Sequence, residues 1–133
     1  MKYIFYGKQS INKDDIDAVV KTLKSDLIAQ GPIVKKFEDE IAEYCGASFA
    51  VAFSSGTAAL HGAYFAAGLK TNEEIITSPI TFAATSNAAL YLGGKTSFVD
   101  IEPDTGNIDS ELIEENINNN TKIIVPVHYA GNP

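Results

Sequence analysis

Apolar and polar positions change period several times along this chain, and each change marks an element. Between Lys13 and Lys24 the apolar residues Ile16, Val19, Val20 and Leu23 recur at three- and four-residue steps, which is one face of a helix. Asn12 stands where a cap belongs, and Asp14, Asp15 and Asp17 suit the positive end of the helix dipole. A break follows at Asp26-Leu27-Ile28-Ala29-Gln30-Gly31-Pro32. The spacing then predicts a second helix from Ile33 to Tyr44, with Phe37, Ile41 and Tyr44 on one face and Gly46 to end it. Four short apolar runs read as buried strands: Phe49–Phe53, Glu74–Thr77, Thr96–Asp100 and Lys122–Val127. Helical stretches separate them. Ala58 to Ala67 stops at Gly68, Thr81 to Leu92 stops at Gly93-Gly94, and Asp109 caps a helix to about Asn118.

Strands alternating with helices predict a three-layer α/β fold with a mainly parallel sheet. Such sheets take ligands beyond the carboxyl ends of their strands. The polar loops 54–57, 78–82, 100–107 and 128–132 all follow strands and are expected to crowd one edge. The sequence stops directly after its last strand, which would leave a parallel sheet with an open edge, so the expectation is a truncated domain.

A chain of 133 residues with 45% hydrophobic and 20% charged residues is ordinary for a soluble domain. No apolar run nears the ~18 residues of a membrane span, and the apolar start at Met1–Tyr6 is too short for a signal peptide. The expected location is the cytoplasm. The formal net charge is −7 and all ten basic residues are lysines, without a basic stripe, so nucleic acid is not an expected partner. The single Cys45 excludes an internal disulfide, and its apolar helical setting predicts a buried structural thiol.

Four segments carry candidate chemistry. Ser54-Ser55-Gly56-Thr57-Ala58-Ala59-Leu60 joins a strand to a helix. Gly56 lets the backbone approach an anion closely, the N–H groups of Thr57 and Ala58 open the helix, and the Ser55 and Thr57 hydroxyls add donors. The set makes a cup for a phosphate, although Ser55 or Thr57 could equally serve only as a helix cap. Without a following Gly-Lys-Ser/Thr it is not a P-loop. In Ser78–Thr85, Phe82 lies just past a strand end, where an aromatic ring could stack on a flat heterocycle or instead join the core. Asp100, Glu102, Asp104 and Asp109 cluster without the spacing of a calcium loop, and Pro103, Gly106 and Asn107 read as turn residues, so no metal site is expected. His128 follows a strand end and could line the same pocket or be structural. His61, within an Ala-rich helix, reads as packing or surface.

The ordered set Ser55-Gly56-Thr57-Ala58-Ala59-Leu60, Glu74–Phe82, Phe98-Val99-Asp100-Ile101, Gly106-Asn107-Ile108-Asp109 and Pro126-Val127-His128-Tyr129-Ala130-Gly131 resembles the DegT/StrS-type sugar-nucleotide aminotransferases, within the fold-type I pyridoxal-phosphate (PLP) enzymes. The resemblance covers nearly the whole chain. It is nearest to the branch making pseudaminic-acid precursors, through Tyr6, Thr81–Ala88, Gly106–Asp109 and Tyr129–Gly131. It implies that residues 1–32 form an N-terminal helix and substrate loop, and that residues 33–133 form the first half of the PLP-binding large domain. It also implies that Gly56, Thr57, Ala58 and Ser55 hold the cofactor phosphate, that Phe82 stacks on its ring, and that Tyr6, Asp26, Leu27, Ile28, Ala29 and Gly56 meet the substrate. The implied reaction moves an amino group from glutamate to the 4-keto carbon of a UDP-linked deoxysugar, in a homodimer. None of the ten lysines sits in the motif of the family's Schiff-base lysine, which is expected beyond Pro133, so the 133-residue chain alone is expected to be inactive. Three alternatives remain. One is a PLP-dependent sugar dehydratase of the same fold. Another is a non-catalytic nucleotide-binding module, which the solitary Gly56 disfavours. The third is a fragment that serves only as a dimerisation or folding piece.

Overall fold

The computed structural model describes residues 3, 5 and 7–133; Met1, Lys2, Ile4 and Tyr6 lie outside the described residues. The contacts divide the chain into two compact units, Met1–Ala52 and Phe53–Pro133.

The first unit carries α1 (Lys13–Leu23) and α2 (Pro32–Cys45). Asn12 starts α1 through a reciprocal cap. Its Oδ1 accepts from the Asp14 and Asp15 N–H groups at 2.7 and 3.1 Å, while the Asp15 carboxylate accepts from the Asn12 N–H at 2.8 Å. Pro32 opens α2, where its missing N–H loses nothing. Gly46 closes α2 at φ 64°, a left-handed conformation that glycine adopts without strain. Cys45 is exposed, contrary to the expected buried thiol. The reason is that α2 is bare on the expected side: Phe37, Ile41 and Tyr44 are also exposed, and among the α2 residues only Ala42 is buried.

Residues 49–53 do not form the expected strand. They have no ladder partner among the described residues, and Phe49 and Val51 stay exposed. An apolar run alone cannot distinguish a buried strand from extended backbone that lacks a neighbouring strand.

The second unit is a parallel three-stranded sheet in the order β2-β1-β3, with β1 at Glu74–Thr77, β2 at Lys95–Phe98 and β3 at Thr121–Val125. Ile75 and Ile76 on central β1 are both fully buried, as expected of a strand covered on two faces. Successive residues point to opposite faces. On one side Ile75 joins Tyr64, Leu69, Ala88 and Ala89, which brings α3 (Gly56–Ala66) and α4 (Ala84–Tyr91) onto the sheet. On the other, Ile76 meets Val99, Ile108 and Ile113. The alanines of α4 let it lie close to the sheet. The predicted helix after Asp109 is broken into a 3-10 turn at Ser110–Leu112 and one helical turn, α5, at Ile113–Asn116. Asp109 does cap it, accepting from the Glu111 N–H at 3.0 Å.

Candidate functional site

Two recesses open at the loops that follow the strands. The first, about 370 Å³, is lined by Gly56, Thr57, Leu60, Phe82, Ala84 and Thr85. One wall is the N-terminal turn of α3, and the other is the turn between β1 and α4. The structure thus brings Gly56, Thr57 and Phe82 together.

Gly56 is the first residue of α3, and Ser55 is its N-cap. The Ser55 Oγ accepts from the Ala58 N–H at 3.2 Å, so Ser55 does cap the helix. Its hydroxyl proton remains available to donate to an anion. The N–H groups of Gly56 and Thr57 have no partner among the described residues. As opening amides of an 11-residue helix they lie where the dipole is positive. A Cβ built on Gly56 meets nothing within 4 Å. No packing therefore demands glycine at this position, and its backbone is not in the left-handed region. The missing side chain leaves the helix end open to a ligand.

Phe82 is 78% exposed. Its ring is therefore not a core residue in this chain. Its backbone is fixed, since the Phe82 carbonyl accepts from the Thr85 N–H at 3.0 Å. A helix end with free Gly56 and Thr57 amides beside an exposed ring could hold a phosphorylated heteroaromatic cofactor, the phosphate at those amides and the Ser55 hydroxyl and the ring against Phe82.

His128 lines a second recess with Glu102, Thr105, Asn107 and Ile108, rather than the Phe82 recess. Asn107 holds that region together: its Oδ1 accepts from the Tyr129 N–H at 2.9 Å and its Nδ2 donates to the Asn132 carbonyl at 3.0 Å. The acidic cluster is engaged locally. Asp100 accepts from the Ile101 N–H at 2.8 Å and Glu102 from the Thr105 hydroxyl at 2.9 Å. Among the described residues no group of three or more His, Cys, Asp or Glu side chains is placed to hold a metal. His61 is exposed and meets Tyr91 edge-on at 5.7 Å.

Asp26, Leu27, Ile28 and Ala29 lie in the first unit, on the exposed loop between α1 and α2. Gly31 is required there, because a Cβ would come within 2.8 Å of the Leu27 carbonyl oxygen. Tyr6 is outside the described residues. Leu60, Ala84 and Thr85 complete the lining, beyond the positions expected to hold a ligand. Leu60 is one helical turn beyond Gly56, a spacing that would have placed it on the same face.

A parallel α/β layer with an anion-accepting helix end at its strand-end edge defines the class of phosphate-cofactor domains. The DegT/DnrJ/EryC1/StrS aminotransferase family model matches residues 9–133, and the chain belongs to that family. It is 44% identical over 132 residues to the UDP-4-amino-4,6-dideoxy-N-acetyl-beta-L-altrosamine transaminase of Campylobacter jejuni, covering 97% of this chain and 35% of that protein. Helicobacter pylori PseC, an aminotransferase involved in the biosynthesis of pseudoaminic acid, superposes with TM-score 0.90 at 38% identity, over 99% of this chain and 36% of that one. NtdA from Bacillus subtilis, solved with its cofactor PMP bound, superposes with TM-score 0.83 at 38% identity, over 91% and 29% respectively. The chain spans about a third of the curated relatives it matches. The expected α/β fold of the fold-type I enzymes is the one observed. No helix among the described residues is long and apolar enough to cross a membrane.

Proposed function

We propose that this chain carries the cofactor-phosphate site of a PLP-dependent aminotransferase acting on a nucleotide-linked 4-keto-6-deoxysugar, with glutamate as amino donor. The observation that carries the reading is the recess in which Gly56 leaves open space beside the exposed Phe82 ring. Gly56, Thr57, Ala58 and Ser55 hold the cofactor phosphate through N–H and O–H donors, and Phe82 orients the ring. Bound there, the cofactor supplies an electron sink for moving an amino group. The chain's own residues bind and orient. Among the described residues neither recess is lined by a lysine, in keeping with a chain that binds cofactor without turning over. The family resemblance assigns the UDP-sugar contacts to Tyr6, Asp26 to Ala29 and Gly56. The similarity to transaminases of UDP-amino sugars and of pseudoaminic acid biosynthesis supports this substrate class. The full protein works in the cytoplasm as a homodimer.

The test is Gly56→Ala. The added methyl clashes with nothing in the chain, so folding stability stays within ~0.5 kcal/mol or rises slightly. It does occupy the approach to the amides, so PLP affinity in an absorbance titration falls about tenfold or more. Unchanged PLP affinity would show that the phosphate binds elsewhere.

A further inference from the structure

Phe82 presents a puzzle of its own. A ring 78% exposed has few packing neighbours to hold it in place. A stacking plate works only if its position is set before the ligand arrives. The hydrogen bonds around it supply the missing constraint. Tyr64 lies on α3, eight residues beyond Gly56 and so about 12 Å along the same helix. It is only 4% exposed, and its hydroxyl donates to the Thr85 carbonyl at 3.2 Å. Thr85 is 6% exposed, and its Oγ1 lies 2.8 Å from the Thr81 Oγ1. Phe82 sits between those two threonines, and its carbonyl accepts from the Thr85 N–H at 3.0 Å.

We infer that Tyr64, Thr85 and Thr81 form a positioning relay that sets the Phe82 ring relative to the amides at the start of α3, deepening the cofactor reading on which this inference rests. One rigid helix carries both reference points. Its first turn presents the anion donors, and two turns later its tyrosine anchors the turn that bears the aromatic plate. The threonine pair then brackets that turn, closing the five residues Thr81–Thr85 on themselves. Burial raises the Tyr64 pKa above its ordinary value, so the phenol keeps its proton and remains a donor through the neutral range. Tyr64 is not among the residues lining the recess, so it acts through Thr85 and not on the ligand.

The experiment compares Tyr64→Phe, Thr81→Val, Thr81→Ser and Phe82→Ala in the full protein. PLP affinity, the circular-dichroism band of the bound ring and the affinity for inorganic phosphate are measured for each. Tyr64→Phe and Thr81→Val should each weaken PLP about three- to fivefold and change the ring band, with inorganic phosphate affinity within about twofold of the parent. Thr81→Ser, which keeps the hydroxyl, should restore both. An unchanged ring band and PLP affinity in Tyr64→Phe and Thr81→Val, with Phe82→Ala impaired, would overturn the relay and leave the cofactor reading standing. Equal losses for PLP and phosphate would also overturn it, since they mean a general softening of the unit. If Phe82→Ala binds PLP as tightly as the parent, the cofactor reading itself fails and takes the relay with it.

Discussion

Removing the Phe82 ring separates a ligand plate from a core residue, because the two roles predict opposite patterns. With 78% of the residue exposed, only about a fifth of its surface is protected in the chain. Full burial of such a side chain is worth ~1.5–3 kcal/mol, so a fifth of it is worth about 0.5 kcal/mol. Phe82→Ala should therefore shift the urea midpoint only slightly, whereas truncating a core phenylalanine costs ~3–5 kcal/mol. Cofactor binding should respond more strongly. Loss of ring stacking removes ~0.5–1.5 kcal/mol, roughly a two- to tenfold weakening of PLP. The assay pairs urea unfolding of the ligand-free protein with a PLP absorbance titration. A fall in stability above ~2 kcal/mol with PLP affinity unchanged would refute the reasoning, because it would place the ring in the interior.

Gly62→Ala should destabilise despite alanine's helix preference of ~1 kcal/mol, because its Cβ would fall 2.5 Å from the Phe53 Cζ and displace a ring that is half-buried. A thermal melt should drop by a few degrees, and a rise would show that Phe53 swings clear freely. Tyr64 adds a pH dependence: its folded pKa is raised, so its contribution is complete below the ordinary value near 10 and is lost as pH climbs through the folded value. Urea midpoints taken from about pH 9 to 11 should fall less in Tyr64→Phe than in the parent; an equal fall would contradict the burial of this phenol.

The helices of the first unit were legible because their signals are local. Asn12 with Asp15, Pro32 and Gly46 specify ends without reference to the rest of the chain. Strand β1 was equally clear, since its apolar run is buried on both faces. The run 49–53 looks the same by composition, yet it pairs with no strand among the described residues, and pairing is a non-local property that composition does not encode. Cys45 fails for the same reason: an amphipathic face shows where burial is possible, not what covers it. At the candidate site, Gly56 and Phe82 were visible as unusual residues at strand-end loops. Their meeting in one recess comes from α3 and α4 packing together on one face of the sheet, while His128 lines a different recess, and no spacing along the chain reveals either. Tyr64 escaped notice because its role lies in a hydrogen bond spanning 21 residues to a backbone carbonyl, and a buried tyrosine reads as ordinary core.

The most direct test of the central claim is an amide-resolved NMR titration of the protein with PLP. The Gly56, Thr57 and Ala58 N–H signals should move and saturate together with the Phe82 ring protons. Shifts confined instead to Glu102, Asn107 and His128, with the start of α3 silent, would contradict it.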